Sequence, residues 1–154
     1  MVRCKSNSRF FSLSQDVILT QADTTVGFIS QNFAKLSEIK SRPTSKPFIK
    51  IYNSFLACQN RIPHSQKNFV RRSKKTTFII KNQAFRINPC IKNSQILRNL
   101  EWHYSTSANE VGKNFNREFC ESKADIIIEN KNGLLENSSS NLIKLNNHKI
   151  RKLR

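Results

Sequence analysis

The stretch Lys40-Ser41-Arg42-Pro43-Thr44-Ser45-Lys46-Pro47 is the segment from which the rest of the chain can be interpreted. Its three cations fall within seven residues, and its two prolines fix the backbone φ angle and disfavour a regular helix. A loop of this kind holds positive charge in place for an anion, and a triphosphate is the obvious ligand. A solvated basic loop is the alternative interpretation of the same residues.

Two further segments place this loop in a pattern. Gln21-Ala22-Asp23-Thr24-Thr25-Val26-Gly27 lies upstream, and Ser105-Thr106-Ser107-Ala108-Asn109 lies downstream. An Asp-Thr-Thr-x-Gly turn, a Lys-x-Arg-Pro-x-x-Lys-Pro loop and a Ser-Thr-Ser-Ala-Asn turn, in that order, resemble the YrdC family of threonylcarbamoyl-AMP synthases. The resemblance covers about residues 16–154.

The length of 154 residues and the hydrophobic content of 37% suit a single domain. Residues 1–15 are rich in Ser and Arg and lack a clear period, so we expect a loose N-terminal extension before a domain at 16–154. Strand and helix patterns alternate without a repeat or a Gly-rich phosphate loop. This order predicts an α/β fold with a twisted mixed β-sheet flanked by helices, and the resemblance implies its YrdC-like form.

The local patterns predict the following elements. Strands are expected at 16–20, 47–52, 76–81, 84–87, 103–106, 124–129 and 141–145. Helices are expected from an N-cap at Ser30 to about Lys40, and at 67–72, 93–100 and 116–123. We expect Gly27 to supply backbone geometry closed to other residues, Asn82-Gln83 to form a turn, 130–140 to be a loop, and 149–154 to be a basic tail.

The net charge of +17 and the pI near 10.3 indicate a polyanionic partner such as RNA, DNA, a nucleotide or an acidic membrane surface. Abundant Asn, Lys and Ile with only three glycines are also typical of A/T-rich coding DNA. We expect RNA contact to be electrostatic, because Trp102 and two tyrosines offer few faces for base stacking.

Apolar runs in the sequence fall short of the roughly 20 residues that a membrane span needs, so we expect no membrane partner. The N-terminal apolar segment is too short for a secretory signal, which predicts a cytoplasmic protein. The four cysteines are isolated, and with the three histidines they form no recognisable zinc pattern, so no metal site is expected from them.

The resemblance implies a specific reaction. L-Threonine and bicarbonate form a carbamate, which attacks the α-phosphorus of the substrate ATP and expels pyrophosphate. The threonylcarbamoyl-AMP product is then used, with other tRNA-modification proteins, to modify tRNA. This reaction needs no protein nucleophile, because positioning and preorganised charge suffice. Mg²⁺ could accompany ATP, with Asp23 orienting a magnesium-bound water.

The resemblance also assigns roles to ten residues. Lys40 and Arg42 are the expected catalytic cations: Arg42 holds an oxyanion through two donors, and Lys40 supplies a mobile point charge. The expected ATP- and substrate-binding residues are Thr24, Thr25, Lys46, Thr77, Arg86, Ser107, Asn109 and Ser139. Ser140 is the alternative to Ser139, since the serine run leaves the register open.

The chain also departs from the family pattern. Gln21-Ala22 replaces the usual Pro-Thr, the tyrosine between Val26 and Gly27 is missing, and Ser73-Lys74-Lys75 replaces Pro-Gly-Pro. The alternative function is therefore a non-catalytic YrdC-like module that binds double-stranded RNA or tRNA. A third is a carbamoyl-transfer helper like the YrdC-type domain of hydrogenase maturation proteins. We expect the three matching segments to converge on one cavity.

Overall fold

The structure is a computed structural model that describes residues 2–4, 14–41, 47–88, 97 and 99–154. Its strands are β1 (Val2–Cys4), β2 (Ile18–Gln21), β3 (Val26–Ser30), β4 (Ile49–Tyr52), β5 (Thr76–Ile80), β6 (Gln83–Ile87), β7 (Trp102–Ser107), β8 (Ile126–Ile128), β9 (Asn141–Leu145) and β10 (Ile150–Lys152). Its helices are α1 (Phe33–Ile39), α2 (Lys67–Arg72) and α3 (Arg117–Lys123), with a 3₁₀ turn at His64–Gln66 before α2. In the described part of the chain, no helix has the length and apolar character needed to cross a membrane.

The ten described strands form one mixed sheet in the order β1-β8-β2-β3-β7-β4-β6-β5-β9-β10. The pairs β2–β8, β4–β6 and β5–β9 are parallel, and the other neighbours are antiparallel. The described chain also contains the three helices given above. Residues 130–140 contain no helix or strand, as predicted for a loop. The predicted α/β fold with a single mixed sheet is confirmed.

Side chains pack against both faces of the sheet. Leu19 and Phe28 face α1 and bury Leu36, whereas their neighbours Ile18 and Ile29 point to the opposite face. A further cluster around Tyr52, Phe78 and Phe85 fills the other half of the sheet. Each fully buried side chain of this size stabilises the fold by about 1.5–3 kcal/mol, so the strands that carry the site are firmly held.

Helix α1 begins later than predicted. Ser30 is the last residue of β3, and Asn32 is the N-cap, because its side chain accepts the Lys35 N–H. The Ser30 hydroxyl instead accepts the Asn32 N–H at 2.9 Å. The helix ends at Ile39 with Lys40 as its C-cap. The predicted helices at 67–72 and 116–123 are confirmed, with Asn116 as the N-cap of α3.

The role expected for Gly27 was wrong. Val26–Ser30 is a strand, and the described glycines with positive φ are Gly112 and Gly133. A Cβ added at Gly27 would lie 2.9 Å from the Thr106 carbonyl oxygen on the paired strand β7. Glycine is needed here because two backbones approach closely, not because the backbone is left-handed.

Several predicted boundaries are corrected. Val2–Cys4, placed in the loose extension, pairs with β8 at the sheet edge, and Ile150–Lys152, placed in the basic tail, forms β10. The turn between β5 and β6 is Lys81-Asn82, with φ of 47° and 63°, which fits the type I′ turn of a two-residue hairpin. Most of the helix predicted at 93–100 lies outside the described residues.

His103 on β7 is a buried histidine whose ionisation opposes folding. It is 1% exposed, and its Nδ1 has no partner among the described residues. Burial lowers the pKa of His103 from 6.5 to about 4. The unfolded chain therefore takes up a proton between pH 6.5 and about 4 while the folded chain does not, and stability falls as the pH falls through this range.

We expect this titration to remove about 3 kcal/mol of unfolding free energy between pH 6.5 and about 4, since one pKa unit corresponds to about 1.4 kcal/mol. Urea unfolding at a series of pH values measures it. His103→Leu should flatten the pH dependence in this range. The exposed His64, changed to Gln, is the control and should leave the dependence unchanged. Equal pH profiles for the native chain and His103→Leu would contradict the assignment.

Candidate functional site

A cavity of about 340 Å³ opens on the sheet face that carries Gly27 and Ser105. Hydroxyl groups dominate its wall, and we call it the hydroxyl cavity. Its lining residues are Ala22, Thr24, Thr25, Gly27, Pro47, Ile49, Ile51, Arg86, Ser105, Thr106, Ser107, Ser139, Ser140 and Arg154. Six separate regions of the chain thus contribute to one wall.

Arg86 on β6 is the central cation of the hydroxyl cavity, and it is 5% exposed. Its Nη1 donates to Asp23 Oδ1 at 2.6 Å and to Thr24 Oγ1 at 3.2 Å. Its Nε and Nη2 both donate to Thr77 Oγ1, at 3.3 and 2.9 Å. A guanidinium held by three partners has one orientation, so Arg86 is a fixed donor group rather than a mobile one.

The ion pair with Asp23 partly neutralises the positive charge of Arg86. Both side chains are largely buried, with 6% and 13% of their surfaces exposed, so the pair is poorly screened by solvent. Asp23 thereby links the first turn to β6. Because Asp23 is paired with this buried guanidinium, its carboxylate is a poor candidate for orienting a magnesium-bound water.

Thr77 continues the hydrogen-bonded group beneath the cavity wall. Its hydroxyl is bonded to Ser140 Oγ at 3.0 Å, and both residues are buried. Ser139 lines the cavity as an exposed residue. Ser140 also lines the cavity and is bonded to Thr77, whereas Ser139 is exposed, and which of the two matches the late serine of the family stays a prediction.

Lys40 differs from the mobile point charge that we expected. It is 7% exposed, and its Nζ donates to Ser107 O at 3.1 Å, Asn109 O at 2.5 Å and Asn109 Oδ1 at 2.8 Å. An ammonium has three donors, and these three acceptors match them. Lys40 therefore fixes the Ser107–Asn109 turn to the end of α1.

The Ser107–Asn109 turn is also tied internally. Ser107 Oγ donates to Asn109 Oδ1 at 2.6 Å, and Asn109 Nδ2 donates to the Lys113 carbonyl oxygen at 2.6 Å. Ser107 lines the hydroxyl cavity, whereas Asn109 and Lys40 are not among its lining residues. These two residues support the wall instead of forming it.

The positions of the predicted site residues can now be stated together. Those that line the hydroxyl cavity are Thr24, Thr25, Arg86, Ser107 and Ser139. Thr77, Lys40 and Asn109 hold lining residues in place through hydrogen bonds. Arg42 and Lys46 lie outside the described residues. Whether any of these residues binds a ligand stays a prediction.

Sequence reasoning missed Arg154. This residue lines the hydroxyl cavity, and its Nε donates to the Ser140 carbonyl oxygen at 3.2 Å. Its backbone pairs with Leu142, which brings the end of the β9–β10 hairpin beside Ser140. The sequence predicts a basic tail at 149–154, and no alternation in Ile150-Arg151-Lys152-Leu153-Arg154 indicates the hairpin.

The described residues contain no cluster of three or more His, Cys, Asp or Glu side chains that could hold a metal ion. Cys58 and Cys120 are free thiols, and burial raises the pKa of both, which keeps them protonated and weakly reactive.

No family model and no curated protein sequence matches the chain. Solved structures do match its fold. The structure of P. abyssi Sua5 complexed with L-threonine has a TM-score of 0.72 and 18% identity over 90% of this chain. The match covers 50% of that Sua5, so this chain spans about half of its length.

Two other structures show the same likeness. E. coli YciO has a TM-score of 0.63 and 16% identity, covering 90% of this chain and 82% of that one. A full-length HypF in a phosphate- and nucleotide-bound form has a TM-score of 0.70 and 12% identity, covering 100% of this chain and 25% of that one. These neighbours show that the chain has the YrdC-like fold, as predicted.

Proposed function

We propose that the chain is an L-threonylcarbamoyladenylate synthase, which converts L-threonine, bicarbonate and ATP into threonylcarbamoyl-AMP and pyrophosphate for tRNA modification. The observation that carries the proposal is the meeting of Thr24, Thr25, Arg86, Ser107 and Ser139 in one cavity. Those side chains come from the segments that resemble the synthases, in a fold shared with a threonine-bound Sua5 and a nucleotide-bound HypF.

The cavity suits two anionic reactants. In the proposed reaction the threonine nitrogen bonds to the carbon of bicarbonate, which loses water, and a carbamate oxygen then bonds to the α-phosphorus. The bond between that phosphorus and the pyrophosphate oxygen breaks, and pyrophosphate leaves with the electron pair. Carbamate and triphosphate repel one another, so the protein must hold both against fixed donors.

Different residues of the hydroxyl cavity would bind different parts of these reactants. Thr24, Thr25 and Ser139 offer hydroxyl groups that can donate to carboxylate or phosphate oxygens. Arg86 and Arg154 place guanidinium charge on the same wall. From the resemblance, Arg42 and Lys46 would add cations from the 40–47 loop. Lys40 acts as a positioning residue, because its donors are directed at the Ser107–Asn109 turn.

Mg²⁺ would enter with ATP and neutralise part of the phosphate charge. The donor set of the cavity does not fit a metal held by the protein, since Asp23 is paired with Arg86 and no cluster of metal-binding side chains exists in the described residues. The other partners in the proposal are tRNA and the proteins that transfer the threonylcarbamoyl group, in the cytoplasm.

A non-catalytic RNA-binding module is the second candidate. The feature that favours it is the use of cationic donors within the protein: Lys40 donates to the Ser107–Asn109 turn, and Arg86 is paired with Asp23. The net charge of +17 would suffice for binding to an RNA backbone.

Pyrophosphate release from ATP separates the two candidates. We expect release only when threonine and bicarbonate are both present, because the carbamate is the attacking group. Replacing threonine by glycine, or omitting bicarbonate, is the control. Threonine-dependent release together with threonylcarbamoyl-AMP in the mass spectrum supports the synthase. Absence of release from a folded chain that still binds tRNA would replace it by the binding module.

A further inference from the structure

A second cavity, also of about 340 Å³, lies on the opposite face of the sheet. Alternation along β4 separates the two: Ile49 and Ile51 line the hydroxyl cavity, whereas Lys50 and Tyr52 line the second one. We call it the aromatic cavity, and its lining residues are Phe33, Pro47, Phe48, Lys50, Tyr52, Gln59, Asn60, Gln83, Ala84 and Tyr104. It shares only Pro47 with the hydroxyl cavity and has no role in the proposed reaction.

Aromatic rings form the floor of this cavity. Phe33 and Tyr104 meet edge to face with centroids 5.6 Å apart, and Phe33 and Phe48 meet at 5.1 Å. Trp102 extends the group, 5.3 Å from Tyr104. Phe33, Trp102 and Tyr104 are only half-buried, so they leave ring surface within reach of solvent. The sequence had suggested few stacking faces, but pairing of β4 with β7 gathers them in one place.

The rim of the aromatic cavity is polar and cationic. Lys50 Nζ lies 4.0 Å from the Trp102 ring centroid and 5.4 Å from that of Tyr52, which are cation–π distances. The same ammonium donates to Gln59 Oε1 at 2.9 Å. Asn60 Nδ2 donates to Gln83 Oε1 at 3.2 Å, and both side chains belong to residues on the lining.

Rings, amides and one ammonium are the groups that recognise an unpaired nucleobase. Aromatic faces stack on a base, side-chain amides pair with its hydrogen-bonding edge, and a nearby cation attracts its phosphate. The net charge of +17 draws a polyanion rather than a neutral or basic peptide to this surface. A base within a duplex presents no free face, which excludes double-stranded RNA from this cavity.

We propose that the aromatic cavity binds a nucleobase, supplied by a single-stranded segment of RNA. This site is separate from the hydroxyl cavity and does not depend on the proposed synthase activity. It would place unpaired RNA on one sheet face while the opposite face holds small anionic substrates.

Fluorescence of Trp102 provides the test, because it is the only tryptophan in the chain and its ring contacts Tyr104. The probes are a short oligouridylate, an RNA duplex of equal length, and free UMP and AMP. Titrations at elevated salt reduce phosphate binding and leave stacking as the main contribution. We expect saturable quenching by the single strand and weaker binding of the duplex. Quenching by free UMP or AMP without quenching by the single strand would overturn RNA as the source of the base.

Matched variants locate the site. Tyr104→Leu should weaken single-strand binding by about tenfold or more, the usual effect of removing one stacking ring. Tyr104→Phe keeps the ring and should retain binding. Lys123→Gln, an exposed lysine of α3, removes one charge outside the cavity and should have little effect at elevated salt. Gln83→Ala alters only an exposed rim amide and should also weaken single-strand binding. It is the replacement variant if Tyr104→Leu fails to fold.

Preference for the duplex, or equal affinities in Tyr104→Leu, Gln83→Ala and Lys123→Gln, would overturn the proposal. Lack of any Trp102 response to all four probes would do the same. Neither Tyr104 nor Gln83 lines the hydroxyl cavity. Pyrophosphate release is therefore measured on the same Tyr104→Leu and Gln83→Ala samples, so that a loss of RNA binding can be distinguished from a loss of the proposed synthase activity.

Discussion

Replacing Arg86 by methionine is expected to lower the free energy of unfolding by about 3 kcal/mol or more, which urea denaturation will measure. The change leaves the Asp23 carboxylate, 13% exposed, without its cation and removes the donors to Thr24 and Thr77. Breaking a buried pair from one side costs about 3–5 kcal/mol, because the remaining charge is uncompensated. Asp23→Asn in the same chain should restore part of the loss, since it removes that charge.

Arg117 offers the control for this experiment. It contacts two carboxylates, Glu121 and Glu129, at 2.7 and 2.9 Å, whereas Arg86 contacts one, but Arg117 lies on the surface. Exposed ion pairs contribute little, so Arg117→Met should change stability far less than Arg86→Met. If the two variants lose the same stability, the group around Arg86 is not the structural centre that its geometry indicates.

Replacing Lys40 by methionine is expected to lower turnover of the proposed synthase by about 10²-fold, measured as threonine-dependent pyrophosphate release. Lys40 Nζ is the donor shared by Ser107 O, Asn109 O and Asn109 Oδ1, so its loss frees the turn that carries Ser107 into the hydroxyl cavity. A displacement of about 1 Å in a positioning element can cost 10²-fold in rate. Loss of a buried donor should also destabilise the fold by about 1–3 kcal/mol.

The rate effect must be separated from the stability effect. Lys35→Met removes another lysine of α1, whose ammonium is 3.5 Å from the half-exposed Asp125 carboxylate, and it should leave turnover nearly unchanged. Lys40→Met measured well below its melting temperature should still be slow, with kcat reduced more than KM rises. A Lys40→Met enzyme as fast as Lys35→Met would show that the turn holds its position without this contact.

The sequence was a good guide to elements whose signals are local. Asn141–Leu145 and Lys67–Arg72 were predicted with their observed bounds, because residue-type preferences are visible in a short window. Five of the ten residues that the resemblance named line one cavity, and their binding roles stay predictions. These signals depend on residue type alone, so they can be recognised without knowing how the chain packs.

The failures concern distance and pairing. Gly27 was explained by its own backbone, but its constraint comes from Thr106 on another strand. Lys40 was expected to be a mobile point charge, but its Nζ donates to acceptors that lie 67 and 69 residues away. Arg154 was assigned to a tail because the hairpin that returns it to Ser140 cannot be recognised from one basic segment. Each error follows from a contact between segments far apart in sequence.

The strand order has a consequence for how the protein reaches its native state. Neighbours in the sheet include β3 with β7 and β5 with β9, so the closing contacts join distant parts of the chain. Folds dominated by such pairings fold slowly, because the entropy of closing long loops is lost before the contacts form. The hydroxyl cavity takes walls from β6, β7 and the end of the chain. We therefore expect it to be absent from any partly assembled intermediate, so that a small-molecule ligand of the cavity would slow unfolding without accelerating folding.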